Sequence, residues 1–354
     1  MKQYDVIIIG TGAANIIADA AIGQHKHIAI IERGRFGGTC LNRGCIPTKV
    51  MVTAANLLCE IREGARIGVT AENATLDWDT MARRLWQKID ESPAIQTYYD
   101  QFPDVDTYNG TASFTGKKTI AVTKTDGSSE ELEGRQIFIG TGGRTNIPAL
   151  PGLEECGYIT SETFFGPKFP DKPYKSLIVI GGGPIGCEFS HVFEAAGTQV
   201  TIVQHNVRLL PKEEPEISAF MLRQFQNRHI DVRLNQDTLS VRREGDEKVL
   251  TIRNRTDGTT AEVRAEEILV APGILPMTEL LHLEHTDVRL DSRGYILTNE
   301  FLETSAEGIW ALGDVNGRAP FRHKANYEAE IIAHNLFSHM PRENWRWAQY
   351  DAVP

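Results

Sequence analysis

Long hydrophobic runs and an excess of positive charge are both missing from this sequence. No apolar segment approaches the roughly 18 residues that a membrane-spanning helix needs, and the first residues lead into a strand pattern rather than a signal peptide. The 47 Asp and Glu outnumber the 37 Lys and Arg. The formal net charge of −10 therefore provides no electrostatic attraction for the phosphates of a nucleic acid. We therefore predict a soluble, cytoplasmic protein that binds neither a membrane nor a nucleic acid.

Cysteine is also scarce. Five cysteines in 354 residues are too few for a secreted scaffold built on disulfides. Cys59, Cys156 and Cys187 are scattered singly and provide no second pair of zinc ligands, so we predict no metal site. A chain of this length is expected to form two or three domains.

The two remaining cysteines, Cys40 and Cys45, stand five positions apart. On an unbroken helix their Cα atoms would be roughly 8–9 Å apart, more than the roughly 7 Å that a disulfide tolerates. Gly44 and Pro47 allow a break, with Pro47 in the first turn of a new helix that runs to about residue 61. A thiol at a helix N-terminus ionises more easily. We interpret the pair as a redox-active dithiol; two unreactive cysteines or half of a zinc site are the alternatives.

A βαβ pattern typical of dinucleotide binding opens the chain. Residues 6–9 are wholly apolar, as in a strand buried on both faces, and a helix is predicted from 13 to 22. The turn between them contains Gly10 and Gly12, which let the backbone approach a pyrophosphate, and the next strand ends at Glu32, which suits ribose hydroxyls. The predicted contacts are Gly10, Gly12, Ala13, Ala14, Asn15 and Glu32. Because Asn15 replaces the third glycine of the pattern, we expect looser helix packing or a hydrogen bond from its side chain.

The same pattern recurs later in the chain, where residues 177–180 form another buried strand before a glycine-rich turn. The distance from the first glycine to the end of the second strand is 22 positions in the first unit (10 to 32) and 23 in the second (181 to 204). Two such units imply two nucleotides and an α/β fold with two Rossmann-like dinucleotide-binding domains and β-meander insertions. The predicted contacts of the second unit are Gly181, Gly183, Pro184, Ile185, Gly186, Gln204, His205 and Arg208.

The second unit lacks the usual carboxylate at the end of its second strand. Gln204 stands there, followed by His205 and, nearby, Arg208. Without a carboxylate there is less repulsion toward the 2′-phosphate of NADPH, and His205 or Arg208 is placed to contact it. This favours NADPH, but a glutamine also hydrogen-bonds a ribose, so NADPH and NADH both stay open.

Residues 37–49, with Cys40, Cys45 and Lys49, closely resemble the redox-disulfide segment of the flavin-dependent pyridine nucleotide–disulfide oxidoreductases. The resemblance implies FAD in the first unit, NADPH or NADH in the second, and hydride transfer through the flavin to a Cys40–Cys45 disulfide. It implies a charge-transfer contact between Cys45 and the flavin, exchange of Cys40 with the substrate, and Lys49 near flavin N5 in a pair with Glu188. The implied substrate is a small-molecule or protein-linked disulfide, as for dihydrolipoamide dehydrogenase. The alternatives are a mercuric-reductase-like enzyme and a truncated, catalytically impaired flavoprotein module.

The resemblance extends to further segments of the chain. It implies that Asp314 binds the ribityl chain of the flavin and that the helix start near His323 lies beneath the flavin ring. The additional cofactor contacts implied in this way are Gly38, Thr39, Thr141, Gly142, Gly143, Gly273, Gly313, Asp314, His323 and Ala325.

The domain boundaries follow from the same comparison. We expect an FAD-binding domain in residues 1–150 and 275–340, an NAD(P)H-binding domain in 151–274, and a tail, 341–354, that leads to an absent dimerisation domain. Members of the family are homodimers that contribute a His–Glu pair from that domain. For this chain we therefore expect a monomer or loose oligomer, with slow turnover on a disulfide.

Overall fold

The computed structural model describes residues 1–350. Its α-helices are α1 Asn15–Ile22, α2 Gly38–Asn42, α3 Cys45–Glu63, α4 Trp78–Ile89, α5 Ser92–Tyr99, α6 Leu153–Cys156, α7 Ser161–Phe164, α8 Pro184–Ala195, α9 Pro215–Asn227 and α10 Arg322–Phe337. Its β-strands are β1 Lys2–Ile9, β2 Ile28–Glu32, β3 Val105–Phe114, β4 Thr119–Lys124, β5 Ser129–Ile139, β6 Gly143–Thr145, β7 Ser176–Ile180, β8 Gln199–Val203, β9 Asp231–Arg233, β10 Gln236–Glu244, β11 Glu247–Asn254, β12 Thr260–Ala265, β13 Glu267–Val270, β14 Ile274–Pro276 and β15 Ile309–Ala311. Short 3-10 helices occupy Gly64–Ile67, Leu283–His285, Gly313–Asn316 and Arg342–Asn344.

The contacts within the chain divide it into two compact units. Unit 1 consists of Met1–Asn42, Asp90–Arg144 and the residues from Leu275 onward, and unit 2 consists of Arg43–Ile89 and Thr145–Ile274. Each unit contains one of the two predicted βαβ patterns. The predicted α/β class is therefore confirmed.

The sheet of unit 1 is built around β1, which pairs in parallel with β2 and β5. The strands β3, β4 and β5 form an antiparallel meander, and β15 joins β5 in parallel. Because successive side chains of a strand point to opposite faces, Val6 and Ile8 pack with α1 and α10 while Ile7 and Ile9 join a second cluster on the other face. Burial on both faces accounts for the wholly apolar run in β1.

Unit 2 contains a parallel sheet in the order β13-β7-β8-β9 and an antiparallel sheet in the order β10-β11-β12. The helix α8 follows β7 and buries Phe189 and Phe193 in an aromatic core. Met51 of α3 and Leu85 of α4 belong to the same core. Residues 43–89, which the sequence assigned to the FAD-binding domain, therefore group with unit 2, because the apolar faces of these two helices are buried there.

Unit 1 also extends beyond the predicted boundary at residue 340. The Asn335 side chain exchanges two hydrogen bonds with the backbone of Arg346, at 2.7 and 2.8 Å. The Tyr350 hydroxyl donates to Glu328 of α10 at 2.7 Å. The first part of the predicted tail is thus packed on α10, and residues 351–354 lie outside the described residues.

The helix α9, which no sequence motif marked, has the features of a half-buried helix. Pro215 occupies its first turn, where a missing N–H costs no hydrogen bond. Ser218 and Phe225 are buried, and Met221 and Leu222 pack against the core of unit 2, which is the spacing of one helix face. Among residues 1–350, no helix combines the length and apolar character needed to cross a bilayer.

The grouping of α4 with unit 2 can be tested by Leu85→Ala. Leu85 is fully buried, so we expect a loss of about 2–5 kcal/mol in the free energy of unfolding. Leu57→Ala in α3 is the matched control, because Leu57 is 59% exposed and its loss should change stability by no more than about 0.5 kcal/mol. Urea unfolding followed by tryptophan fluorescence measures both. Equal effects of the two variants would contradict the assignment of α4 to this core.

Candidate functional site

The first glycine turn links β1 to α1 in unit 1. Gly10 has φ +95°, and a Cβ there would collide with the Gly140 carbonyl, so only glycine fits. At Gly12 the nearest atom to an added Cβ would be a guanidinium nitrogen of Arg322, 4.0 Å away. The backbone at Gly12 therefore borders open space, as required where a pyrophosphate approaches a helix N-terminus. Ala13 and Ala14 follow, both buried.

Glu32 is held beside this turn by three hydrogen bonds. Its carboxylate accepts from the backbone N–H and the hydroxyl of Thr11, at 3.0 and 2.7 Å, and from the N–H of Gly34 at 2.8 Å. The Thr11 hydroxyl also accepts from the N–H of Gly37 at 3.0 Å. Thr11 thus fixes the carboxylate to the turn. The sequence did not single out Thr11, because nothing in the glycine pattern specifies the residue between the two glycines.

Asn15 begins α1, two residues later than the predicted start. Backbone bonds from Ile16 to Ala13 and from Ile17 to Ala14 form tight turns before the regular helix. The Asn15 Oδ1 atom is buried without a hydrogen-bond partner, so the expected hydrogen bond of this side chain through its oxygen is not formed.

The second glycine turn, in unit 2, repeats the first closely. Gly181 has φ +113°, and a Cβ there would collide with the Ala271 carbonyl, while an added Cβ at Gly183 would meet no atom within 4 Å. The helix α8 starts directly after Gly183, with Pro184 at its first position and Ile185 exposed. A Cβ on Gly186 would clash with the Gly181 carbonyl, which explains the third glycine of the motif.

Gln204 plays in unit 2 the part that Glu32 plays in unit 1. Its Oε1 accepts from the backbone N–H of Gly182 at 3.0 Å, and its Nε2 donates to the Arg208 carbonyl at 3.1 Å. The side chain is 5% exposed. The Arg208 guanidinium donates to the Pro211 carbonyl at 2.8 Å. The amide thus binds the turn as a carboxylate would, but carries no charge.

The cysteine segment contains the predicted break. Cys40 is half-buried in α2, which ends at Asn42, and Cys45 is exposed at the first position of α3. Between the two helices, Gly44 has φ −142° and ψ −120°, far from helical values. Pro47 is buried in the first turn of α3, as predicted, and the helix continues to Glu63.

The start of α2 packs on the first glycine turn. Gly38 has φ +65°, and a Cβ there would lie 2.8 Å from the Cα of Gly12. The Asn42 side-chain amide closes the segment by donating to the Phe36 and Gly38 carbonyls, both at 3.0 Å. Thr39, between these points, is exposed.

Lys49 and Glu188 form an ion pair inside unit 2. Lys49 lies one turn after Cys45 on α3, and Glu188 lies one turn into α8, directly after the second glycine turn. Their side chains are 57% and 36% exposed, so the pair contributes at most about 1 kcal/mol to stability. The main consequence of this ion pair is positional, because it joins α3, which begins at Cys45, to α8, which begins at Pro184.

A second polar contact joins the same two helices. The Arg228 guanidinium donates to His191 Nδ1 at 2.5 Å, so His191 Nε2 carries its proton and donates to Asn56 Oδ1 of α3 at 2.7 Å. Arg228 also pairs with Glu194. Burial, with the nearby charge of Arg228, lowers the pKa of His191 to about 4.

The remaining predicted contacts of unit 1 surround the 3-10 helix at Gly313. Burial raises the pKa of Asp314, which follows Gly313. The buried Glu328 carboxylate accepts from the N–H of Gly313 at 2.7 Å and from Asn316 at 3.0 Å, although no sequence motif marked it. His323 is exposed and Ala325 is buried in the first turns of α10.

The chain passes between the units at four points, and two of these lie near Arg144 and near Ile274. In unit 1, the Thr141 hydroxyl donates to the Met277 carbonyl at 2.8 Å, and the N–H of Met277 donates to Gly142 at 3.0 Å; Gly143 is buried beside them. In unit 2, the exposed Gly273 accepts from the N–H of Asn146 at 2.9 Å. Among residues 1–350, no three His, Cys, Asp or Glu side chains are grouped so that they could hold a metal ion.

Comparisons with known proteins identify the family. A sequence profile described as pyridine nucleotide-disulphide oxidoreductase matches residues 4–329. Mycothione reductase of Mycobacterium tuberculosis is 33% identical over 342 residues, which cover 95% of this chain and 71% of the relative. Dihydrolipoyl dehydrogenase of Zymomonas mobilis is 31% identical over 333 residues, covering 94% and 70%. This chain belongs to the pyridine nucleotide–disulfide oxidoreductases.

A solved structure agrees with this assignment. The Cu(II) complex of the HOCl-induced flavoprotein disulfide reductase RclA from Escherichia coli superposes with a TM-score of 0.82 at 26% identity, covering 95% of this chain and 71% of that chain. The predicted family is therefore confirmed, and the protein is an oxidoreductase of disulfides with FAD and a pyridine nucleotide as cofactors. The open backbone at Gly12 and at Gly183 fits one dinucleotide in each unit.

The burial of Cys187 predicts a sharp difference in thiol reactivity. Burial, with the nearby charge of Glu188, raises the pKa of Cys187 to about 12, whereas Cys45 is exposed at a helix N-terminus. After reduction of the protein, iodoacetamide at pH 8 should alkylate Cys45 and leave Cys187 unmodified. Peptide mapping by mass spectrometry measures this. Cys187 in denatured protein is the control, and equal labelling of both thiols in the native state would contradict the prediction.

His191 predicts a specific acid sensitivity. Its pKa falls from an ordinary 6.5 to about 4 on folding, so below pH 6.5 the unfolded chain binds a proton that the folded protein does not, and stability falls as the pH drops toward 4. Because the ring is partly exposed, His191→Gln should remove roughly 1–3 kcal/mol of this loss between those two pH values. Denaturation at each pH measures it. The exposed His285→Gln is the control, and the same slope in wild type and His191→Gln would contradict the prediction.

Proposed function

We propose that this enzyme uses NADPH to reduce a disulfide between Cys40 and Cys45 and passes the electrons to a small-molecule or protein-linked disulfide, in the manner of a dihydrolipoyl dehydrogenase. One arrangement in unit 2 supports this most directly. The helix α3 begins at Cys45, and one turn later Lys49 pairs with Glu188 on α8, the helix of the second glycine turn. The cysteine helix is thereby tied to a nucleotide-binding helix.

The position of Cys45 suits a thiolate. The first backbone N–H groups of a helix lack intrahelical partners, and their partial positive charge favours an anion. The helix α3 is 19 residues long, and the exposed Cys45 occupies its first position. A cysteine so placed ionises more readily than an ordinary thiol and is the better leaving group and nucleophile.

Each cofactor has its own set of residues in this proposal. Gly10, Gly12, Glu32 and Asp314 of unit 1 hold FAD, which supplies a two-electron relay when bound. The turn from Gly181 to Gly186 in unit 2 holds the pyridine nucleotide. Gln204 brings no negative charge to the ribose, which supports NADPH over NADH.

The proposed reaction balances as three steps. NADPH gives up a hydride, and with one proton from solvent the bond between the Cys40 and Cys45 sulfurs is replaced by two thiols. The Cys40 thiolate then attacks the substrate disulfide, which releases one substrate thiol and leaves a mixed disulfide. The Cys45 thiolate attacks that mixed disulfide at Cys40, the second substrate thiol leaves, and the Cys40–Cys45 bond forms again. One NADPH and one proton reduce one disulfide to two thiols.

Replacing each cysteine in turn tests this function. Under anaerobic conditions, NADPH should generate two new thiols per wild-type chain, none in Cys40→Ser or Cys45→Ser, and two in the control Cys59→Ser. The bound flavin adds an independent readout, because a Cys45 thiolate beside it absorbs at long wavelength. This band should persist in Cys40→Ser and vanish in Cys45→Ser. If neither substitution changes the thiol count or the spectrum, the protein is a catalytically silent flavoprotein module instead.

A further inference from the structure

We propose that Arg255, held against His205 at the end of β8, binds the 2′-phosphate of NADPH. This inference rests on the proposed function, since it concerns the nucleotide of unit 2. It adds a residue that lies 74 positions after the first glycine of the turn (181 to 255) and outside the βαβ motif. Arg255 belongs to a cluster of charged side chains that also contains Asp237 and Arg253.

Backbone hydrogen bonds bring three distant segments together at the carboxyl end of β8. The N–H of Asn235 donates to the Asn206 carbonyl, and the N–H of Arg255 donates to the Asn235 carbonyl, both at 3.0 Å. The Asn235 side chain also donates to the Thr256 hydroxyl at 2.8 Å. The turn that contains Arg255 is therefore fixed next to the residues that follow β8, although it belongs to the antiparallel sheet.

The Arg255 side chain points along the same edge. Its Nη1 donates to the His205 carbonyl at 3.3 Å, and its Nε lies 3.3 Å from Asp237 Oδ1. Arg253 donates to the other oxygen of Asp237 at 2.9 Å, and His205 Nδ1 lies 3.3 Å from Asp237 Oδ1. The Arg255 side chain remains 40% exposed, so a ligand can reach it.

The charges of this cluster do not cancel. The hydrogen bond from Arg253, with the nearby charges of Arg253 and Arg255, keeps the pKa of Asp237 below its ordinary value, so this group is a carboxylate at neutral pH. One negative charge therefore faces two guanidinium groups. The excess positive charge suits a phosphate monoester, and a guanidinium binds such a group through paired N–H donors.

The position of the cluster, at the carboxyl end of β8, favours the 2′-phosphate as the group that it binds. In a βαβ unit the residue at the end of the second strand meets the adenosine ribose. In this chain the Gln204 side chain is occupied by Gly182 and Arg208, so the next groups available at that edge are His205 and Arg255. Unit 1 provides an internal contrast, because there the charged Glu32 stands at the equivalent position and would repel a phosphate.

Two probes test the inference without any redox reaction. Calorimetric titration of the full chain with 2′,5′-ADP and with 5′-AMP isolates the contribution of the 2′-phosphate. We expect 2′,5′-ADP to bind wild type at least about tenfold more tightly than 5′-AMP. Arg255→Gln should remove most of this difference through weaker 2′,5′-ADP binding, while 5′-AMP affinity stays within about twofold.

Arg264→Gln is the matched control, because Arg264 lies on the same antiparallel sheet, pairs with Glu244 and Glu262, and loses the same charge. It should keep the wild-type difference. If Arg255→Gln does not fold, Arg255→Lys supplies the comparison, since it keeps the charge but loses the paired donors and should weaken only 2′,5′-ADP.

Three results would overturn the inference: equal binding of the two probes by wild type, equal weakening of both by Arg255→Gln, or the same effect from Arg264→Gln. In each of these cases wild type still binds 5′-AMP, so the nucleotide site of the proposed function is retained. If neither probe binds wild type, the nucleotide site of unit 2 fails as well, which separates the two failures.

Discussion

The close approach of backbone to backbone at two glycine turns is the constraint on which the rest of the structure depends. At Gly10 and at Gly181 the chain turns with positive φ and packs against a carbonyl just after the neighbouring strand, that of Gly140 after β5 and that of Ala271 after β13. A side chain at either position would push the turn away from its sheet. The N–H groups of the following residues, Thr11 and Gly182, then could not donate to the side chains of Glu32 and Gln204.

The features that could be predicted from the sequence are those with local causes. An apolar run at residues 6–9, a glycine turn and an acidic residue at a set distance describe one continuous βαβ unit, and the structure has these features in that order, with β1 starting earlier, at Lys2. The start of α3 was predictable for the same reason, because Gly44 and Pro47 act on the backbone where they stand. The pairing of Lys49 with Glu188 had no local signal, and only the resemblance to a family suggested it.

The features that could not be predicted depend on contacts between distant residues. The sequence of residues 43–89 does not indicate that the apolar faces of their helices pack with Phe189 rather than with α1. Glu328 looks like any helical glutamate until Gly313 and Asn316 are seen to donate to its carboxylate. The spacing of its apolar residues predicts that α9 is amphipathic, but only the fold shows which hydrophobic core it packs against.

The interleaved order of the two units along the chain has a consequence for synthesis on the ribosome. Unit 2 has all of its strands and helices once Ile274 has been made. Unit 1 still lacks β15 and α10 at that moment, so the face of β1 that packs with α1 and α10 lacks part of its cover until α10 has been made. Since domains fold as their parts emerge from the ribosome, unit 2 can complete its fold before unit 1 does.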